Sequence, residues 1–166
     1  MKKTNAMRIL DGLGIPYETI SYDDDGEHEL ARGAAERTAE KLGVDVHAVF
    51  KTIVMRTDKQ EVVVFCQCAA REINLKKART ACGAKDVQTV KSDELLALTG
   101  YVRGGCSPLG MKRKFRTFID QSALDHKTVY VSAGTRGMQI ALSPADLVRA
   151  TSAQTADLAL DQSPRL

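Results

Sequence analysis

A glycine-rich stretch, YVRGGCSPLGMKRKFR at positions 101–116, combines a thiol, paired glycines and a basic run. Three interpretations compete: Cys106 is a nucleophile, the glycines cradle a phosphate, or the loop presents its backbone to chemistry held elsewhere. A phosphate-binding P-loop places a lysine and then Ser or Thr directly after its last glycine. Here Gly110 is followed by Met111, and no Ser or Thr stands next to a lysine. The pattern therefore argues against nucleotide hydrolysis.

A catalytic Cys106 would need a neighbouring base or a helix N-terminus to form its thiolate. The three histidines, His28, His47 and His126, stand in polar contexts and have no sequence link to Cys106. We therefore favour a structural cysteine over a nucleophile.

Gly104 and Gly105 leave room for close approach of the backbone to a ligand. Their N–H groups could then face a carbonyl or a developing oxyanion, which side chains at these positions would obstruct. A plain tight turn explains the pair at least as well from the pattern alone, so both interpretations stay open.

Lys51 is the most unusual placement in the chain, because it interrupts the apolar strand-like run VFKTIVM. On a strand it points either to solvent or into a pocket. In a pocket, a lysine is a compact donor suited to an ester carbonyl or a terminal phosphate. The pattern gives the two alternatives about equal weight.

Positive charge is concentrated at Lys112, Arg113, Lys114 and Arg116, although the net charge of +3 is too small to identify a partner. Such a cluster contacts phosphates in some proteins, and it is more often a solvated face.

Composition is typical of one globular domain: 166 residues, 43% hydrophobic and 27% charged. No run approaches the roughly 20 apolar residues of a membrane span, and the chain start lacks the apolar core of a signal peptide. We expect a cytoplasmic protein with no membrane partner. The four cysteines, a C-x-C pair and two singletons, favour free thiols over disulfides or structural zinc. We expect no metal and no cofactor.

Hydrophobic periodicity predicts a single α+β domain with a mostly antiparallel or mixed sheet surrounded by helices, and it leaves open whether the sheet closes into a barrel. Residues 151–166 have weak periodicity and are expected to form a loosely held tail. The predicted helices span 4–13, 30–42, 73–83, a segment beginning at Ser92, and 144–149 capped by Ser143. The predicted strands span 17–22, 49–56, 61–67, 86–89, 116–120, 128–132 and 137–142.

Three motifs in order give the chain a family resemblance: VFKT at 49–52, GYVRGGCSPLG at 100–110 and VSAGTRG at 131–137. The chain resembles the YbaK/EbsC family, free-standing aminoacyl-tRNA editing proteins related to the insertion domain of bacterial prolyl-tRNA synthetases. The resemblance covers about residues 4–150. NLKK at 74–77 and SPLG at 107–110 make it most similar to the YbaK branch, the cysteinyl-tRNA(Pro) deacylases.

The resemblance implies an editing domain over residues 1–150, with a pocket for the aminoacylated 3′ end of tRNA. It implies that Lys51 holds the terminal adenosine and the ester, and that the Gly104 backbone orients the scissile carbonyl. It places further substrate contacts at Tyr22, Thr52, Gly105 and Ser132, and makes Lys112, Arg113 and Lys114 candidates for contact with the acceptor end.

The mechanism that the resemblance implies is substrate-assisted, because the cysteinyl thiol attacks its own ester. Alternatives are a deacylase for alanyl-tRNA(Pro) or another small aminoacyl-tRNA, and an inactive module that binds tRNA or a synthetase. Prolyl-tRNA synthetase is the expected partner. Two departures from the family pattern stand out: Gln139 follows Met138 where some relatives carry an acid, and residues 26–32 align loosely.

Overall fold

Two β-sheets form the framework of the part of the chain that the computed structural model describes, residues 2–23 and 34–161. The larger sheet has the strand order β4-β2-β3-β5-β8 and the smaller one β1-β7-β6. The strands are β1 (Glu18–Ser21), β2 (Phe50–Thr57), β3 (Val62–Cys68), β4 (Val87–Thr89), β5 (Arg116–Asp120), β6 (Val129–Ser132), β7 (Met138–Leu142) and β8 (Gln154–Ala156). The helices are α1 (Asn5–Leu13), α2 (Ala34–Leu42), α3 (Leu75–Cys82), α4 (Ser92–Thr99) and α5 (Pro144–Thr151).

The two sheets meet along strand β2. A parallel bridge joins Val49, just before β2, to Tyr130 of β6, while the other end of β2 pairs with β4 through residues 55–57. One edge of β2 is therefore shared between two different strands. The α+β class and the mixed, mostly antiparallel pairing are confirmed. The barrel-like closure is not found, because the sheets of the described residues stay separate apart from this bridge.

The register of the β2–β3 hairpin assigns alternate residues to two faces. Pairing runs without interruption from Phe50↔Cys68 to Arg56↔Val62, and successive side chains of a strand point to opposite sides. On the first face, Phe50 lies in a core with Leu10 of α1 and Leu147 of α5. On the second face, Met55 lies in a core with residues of α3. The first face is therefore the side of β2 that carries Phe50, and the second face is the side that carries Met55.

Strand β3 is covered on both faces, and all seven of its residues are buried. This explains its sequence, VVVFCQC, because a strand with two covered faces is apolar throughout instead of alternating. Each fully buried Val or Phe side chain contributes about 1.5–3 kcal/mol relative to its exposed state. Gln67 is the one residue of this run with an amide side chain, and it is fully buried.

Local signals place the helix ends where the sequence predicts them. Thr4 accepts a hydrogen bond from the Met7 N–H at the start of α1, and Ser143 accepts one from the Asp146 N–H at the start of α5. Helix α4 is the exception, since its N-cap is Lys91 and makes no side-chain hydrogen bond. The part of the predicted helix 30–42 before residue 34 lies outside the described residues, as do residues 26–32.

The prediction of a loose tail is wrong for the segment after α5. Strand β8 pairs in parallel with β5, Leu158 is fully buried, and the Asp120 carboxylate accepts a hydrogen bond from the Leu158 N–H at 2.8 Å. Lys77 of α3 pairs with Asp157 and Asp161. A three-residue strand is too short to show periodicity, and its partners are distant in sequence. Residues 162–166 lie outside the described residues.

None of the helices in residues 2–23 and 34–161 combines the length and the apolar content that a membrane span requires.

Gly110 gives a test of the packing between α1 and the glycine-rich loop. Its φ is +71°, and an added Cβ would lie 2.6 Å from the Asn5 carbonyl carbon. Because backbone cannot yield as a side chain does, Gly110→Ala should lower the free energy of unfolding by about 3 kcal/mol. Gly12 lies within α1 with no atom within 4 Å of its Cβ position, so Gly12→Ala should raise it by about 0.5–1 kcal/mol. Equal urea midpoints for the two variants would contradict this packing.

Candidate functional site

Lys51 is partly buried on the second face of β2, directly opposite Gln67 of β3. Its face is also that of Ile53 and Met55, which pack in the second core. Within the described residues the Lys51 ammonium makes no hydrogen bond and no ion pair. The partial burial of Lys51 is therefore intermediate between the two sequence interpretations, and its charge has no ion-pair partner in the part of the chain that the structure describes.

Ser132 and Gln139 continue this face across the sheet junction. The parallel bridge Val49↔Tyr130 assigns Lys51 and Ser132, each two residues further on, to the same side of the sheet junction. Ser132 pairs with Gln139 of β7, and Gln139 pairs with Ile20 of β1. Residues directly opposite one another in a sheet share a face. We call this line of side chains the Lys51 row: Gln67, Lys51, Ser132, Gln139 and Ile20.

The Lys51 row contains two buried amides with unsatisfied polar atoms. Gln139 is 8% exposed and Gln67 is fully buried. Within residues 2–23 and 34–161, the Gln139 Oε1 and both polar atoms of the Gln67 amide lack a hydrogen-bond partner. The row therefore has a neutral acceptor at Gln139, the position where the family resemblance led us to note a missing acid. Gln67 was not singled out from sequence, although a polar letter inside VVVFCQC was a usable signal.

The turn of residues 133–137, between β6 and β7, connects Tyr22 to the row. The Tyr22 N–H donates to the Gly137 carbonyl at 2.9 Å. Ser132 Oγ accepts from the Gly134 N–H at 3.1 Å, which fixes the hydroxyl at the start of the turn. The structure thus brings Tyr22, Lys51 and Ser132 to one end of the smaller sheet.

Gly104 and Gly105 pack against the same turn. A Cβ on Gly105 would lie 3.1 Å from the Arg136 backbone N and 3.2 Å from the Thr135 Cα. Gly104 has φ +85°, and its Cβ would lie 2.9 Å from Arg136 Nε, which itself donates to the Arg103 carbonyl at 2.9 Å. Contact between two loops therefore requires these glycines. Because the turn begins directly after Ser132, the contact also places the backbone of both glycines next to the segment that carries Ser132.

The glycine-rich loop is held from within by Tyr101 and Ser107. The Tyr101 hydroxyl donates to the Leu109 carbonyl at 2.6 Å, and Ser107 Oγ accepts from the Leu109 N–H at 3.2 Å. Burial raises the pKa of Tyr101 to about 12. The phenol therefore stays protonated and serves as a structural donor across the ordinary pH range.

Cys106 lies in a core with Val54 and Tyr101 and is 8% exposed. All four cysteines are free thiols and buried. Burial raises the pKa of Cys66 to about 12, so that thiol does not ionise near neutral pH. The burial of Cys106 agrees with its interpretation as a structural residue.

Thr52 is the predicted site residue that the structure separates from the others. It pairs with Cys66 on the first face of the hairpin, opposite to the face of Lys51. Its Oγ1 is buried and has no hydrogen-bond partner. Lys51 and Thr52, which are adjacent in the VFKT motif, therefore lie on opposite faces of the sheet.

The basic cluster divides into two parts. Lys112, Arg113 and Lys114 are exposed and have no side-chain hydrogen bond or ion pair within residues 2–23 and 34–161. Arg116 is engaged by Glu61 through two hydrogen bonds of 2.8 Å, and this guanidinium holds the Glu61 pKa below its usual value. The first three cations are thus available to a phosphate, whereas Arg116 stabilises the sheet.

No group of three or more His, Cys, Asp or Glu side chains that could bind a metal ion occurs in the part of the chain that the structure describes.

Comparison with known proteins adds sequence relatives to this geometry. A family model described as the aminoacyl-tRNA editing domain matches residues 28–150. The EbsC protein of Enterococcus faecalis, provisionally named a Cys-tRNA(Pro)/Cys-tRNA(Cys) deacylase, is 39% identical over 95% of this chain and 93% of its own length. A proline–tRNA ligase of Lactobacillus gasseri is 28% identical over 74% of this chain and 22% of the ligase.

Solved structures share the fold. A crystal structure described as that of a proposed trans-editing enzyme for prolyl-tRNA synthetase superposes with a TM-score of 0.83, at 22% identity, over 97% of this chain and 100% of that one. A likeness at this identity concerns the architecture, and it confirms the predicted fold.

The two glycines should respond differently to truncation of Arg136. At Gly104→Ala the methyl meets the Arg136 side chain, whereas at Gly105→Ala it meets backbone. Arg136→Ala should therefore relieve part of the Gly104→Ala destabilisation, with a coupling of about 1 kcal/mol, and should be additive with Gly105→Ala within about 0.5 kcal/mol. Denaturant unfolding of the single and double variants measures both couplings. An equal or larger coupling at Gly105 would contradict the loop contact.

Proposed function

This chain belongs to the family of aminoacyl-tRNA editing domains, whose members are aminoacyl-tRNA deacylases, and we propose that it removes cysteine from mischarged cysteinyl-tRNA(Pro). Cysteinyl-tRNA(Cys) is a further substrate of the same chemistry. The name of the Enterococcus faecalis relative, which is 39% identical, supports this choice of amino acid and of tRNAs.

The observation that carries the proposal is that the ammonium of Lys51 has no partner among residues 2–23 and 34–161. A partly buried lysine without a counter-ion in this part of the chain can donate to an acceptor that arrives with a ligand. It lies in line with Ser132, and the turn after Ser132 contacts Gly104 and Gly105. A cation and a glycine backbone at one sheet end suit an ester flanked by phosphates and ribose hydroxyls.

The reaction uses the nucleophile of the substrate. The cysteinyl sulfur attacks the carbonyl carbon of its own ester, so a C–S bond forms and the bond between the carbonyl carbon and the ribose oxygen breaks. The thiol proton ends on the released 3′-terminal hydroxyl of the tRNA, and the amino acid leaves as a cyclic thiolactone. All atoms of the two products come from the cysteinyl-tRNA, so the reaction needs neither water nor an external reactant.

The protein contributes position and electrostatics. An intramolecular thiol already has a high effective concentration once the ester is held in a reactive conformation. Lys51 holds the terminal adenosine and ester, and the Gly104 backbone orients the carbonyl where negative charge develops. Tyr22, Gly105 and Ser132 line the pocket. Thr52 lies on the first face, opposite to Lys51, so its role is to support the backbone of β2 next to Lys51.

The tRNA acceptor end lies along Lys112, Arg113 and Lys114, whose side chains are exposed and unpaired in the described residues. We infer that selectivity among tRNAs comes from a partner, prolyl-tRNA synthetase. The relation to the proline–tRNA ligases supports this partner. Full selectivity for tRNA(Pro) by the isolated protein would contradict it.

Removal of the Lys51 charge tests the proposal. Lys51→Ala should lower the single-turnover rate on cysteinyl-tRNA(Pro) by about 100-fold or more, the usual cost of losing a preorganised donor. Lys59→Ala is the matched control, because Lys59 is exposed in the β2–β3 turn, and it should leave the rate unchanged. Equal rates for wild type and Lys51→Ala would overturn the assignment. Tight tRNA binding with no turnover of any aminoacyl ester would instead favour a binding module.

Charge reversal tests the acceptor-end contact. Replacing Lys112, Arg113 and Lys114 by Glu should weaken tRNA binding about tenfold at low salt, and it should flatten the salt dependence because fewer counterions are released. The same number of reversals at exposed lysines elsewhere, Lys59, Lys76 and Lys85, controls for net charge. Anisotropy titrations over a salt series measure both effects. An equal loss of tRNA affinity in both triple variants would show that net charge, and not a specific contact with these three residues, causes the effect.

A further inference from the structure

Gln67 is buried without a hydrogen bond that would offset the cost, as far as the described residues show. It is fully buried, and within residues 2–23 and 34–161 both its Oε1 and its Nε2 lack a hydrogen-bond partner. More than about nine in ten buried polar groups have such a partner, and an orphan group costs about 1–3 kcal/mol. A leucine of similar size would fill the same place without this cost. The amide therefore calls for a role other than packing.

The register places Gln67 between two charged residues on the second face. Lys51 is its direct partner across the β2–β3 pair, so the two Cβ atoms lie about 5 Å apart. On the other side, β3 pairs in parallel with β5 up to Cys66↔Ile119, and the next step along this alignment is Asp120. The two registers, the second extended by one step, thus assign Gln67 a position between Lys51 and Asp120 on the second face.

Asp120 is buried, and its existing contacts leave acceptor capacity. One carboxylate oxygen accepts from the Leu158 N–H, and the other accepts from the N–H and hydroxyl of Ser122. Two carboxylate oxygens offer about four lone-pair directions, so one remains. Because Asp120 is fixed by these three bonds, it is a rigid reference point for the amide.

The charges of Lys51 and Asp120 determine the favoured orientation of the Gln67 amide. Its NH₂ group donates and suits the carboxylate, whereas its carbonyl oxygen accepts and suits the ammonium. Gln67 does not meet the substrate itself, because it has no exposed surface, while Lys51 is partly exposed on the same face. Any influence of Gln67 on the reaction passes through Lys51.

We propose that Gln67 is a positioning residue that holds the Lys51 ammonium in place through its carboxamide oxygen, while its NH₂ group is anchored on Asp120. These contacts close when the substrate fills the pocket, as hydrogen bonds in unliganded sites often tighten only in the complex. The inference rests on the proposed function, because it assigns Lys51 to the substrate.

Two apolar substitutions separate positioning from packing. Gln67→Leu and Gln67→Met remove the orphan atoms and keep most of the volume, so both proteins should unfold at the same or a higher denaturant concentration than wild type. The deacylation kcat should nevertheless fall about 10- to 100-fold, the range expected when a catalytic group is misplaced by about 1 Å.

A double-variant cycle with Lys51→Ala gives the decisive readout. If Gln67 acts through Lys51, then Gln67→Met should cause no further loss in the Lys51→Ala protein under single-turnover conditions. Cys68→Ala is the control, since Cys68 is buried one residue away on the opposite face of β3. It should lower stability and leave kcat nearly unchanged.

Each outcome supports or overturns the inference. A normal kcat in both Gln67 variants, or a loss that is equally large in the Lys51→Ala background, overturns it while the proposed function stands. Equal rates for wild type and Lys51→Ala overturn the proposed function and this inference with it. A lowered kcat at undiminished stability that disappears in the Lys51→Ala background supports both.

Discussion

The contact between the Gly104–Gly105 backbone and the 133–137 turn is the constraint on which the rest of the site depends. Backbone meets backbone there, with only 3.1–3.2 Å available to a Cβ on Gly105. One loop connects α4 to β5 of the larger sheet and is held by Tyr101. The other connects β6 and β7 of the smaller sheet, and its Gly137 carbonyl accepts a hydrogen bond from Tyr22, directly after β1. Through this contact the glycine backbone, Tyr22 and Ser132 keep fixed positions relative to one another.

Strand β2 supplies the other fixed element. It is shared between β6 and β4 on one edge and backed by β3, whose residues are all buried. Lys51 therefore stands on a rigid strand at the junction of the sheets, and not on a loop. Groups that must be positioned for catalysis are held most accurately by such elements. The buried polar atoms that lack a hydrogen-bond partner in the described residues include those of Thr52 on this strand, Gln67 on the neighbouring β3 and Gln139 on β7. Departures from local rules of this kind are expected at functional sites.

Much of the fold could be predicted from sequence, because its elements carry local signals. The hairpin of β2 and β3 follows from two β-branched runs around a polar turn, and α5 follows from Ser143 and Pro144. Strand β8 was missed because three residues show no period and the partner β5 is more than 30 residues away. The three motifs located Lys51 and the glycine loop, but motif spacing does not report which face a residue occupies. That is why Thr52 was grouped with Lys51, and why Gln67, which is opposite Lys51 only in the folded hairpin, was overlooked.

The central claim is that a site built around Lys51 and the glycine backbone releases the amino acid by using the substrate's own thiol. Single-turnover rates of the wild-type protein on tRNA(Pro) charged with cysteine, serine or alanine test it most directly, because the three side chains are small and only one carries a thiol. We expect rapid release of cysteine and rates near the uncatalysed value for serine and alanine. Release of alanine or serine as fast as cysteine would contradict it, because water would then have to be the attacking group.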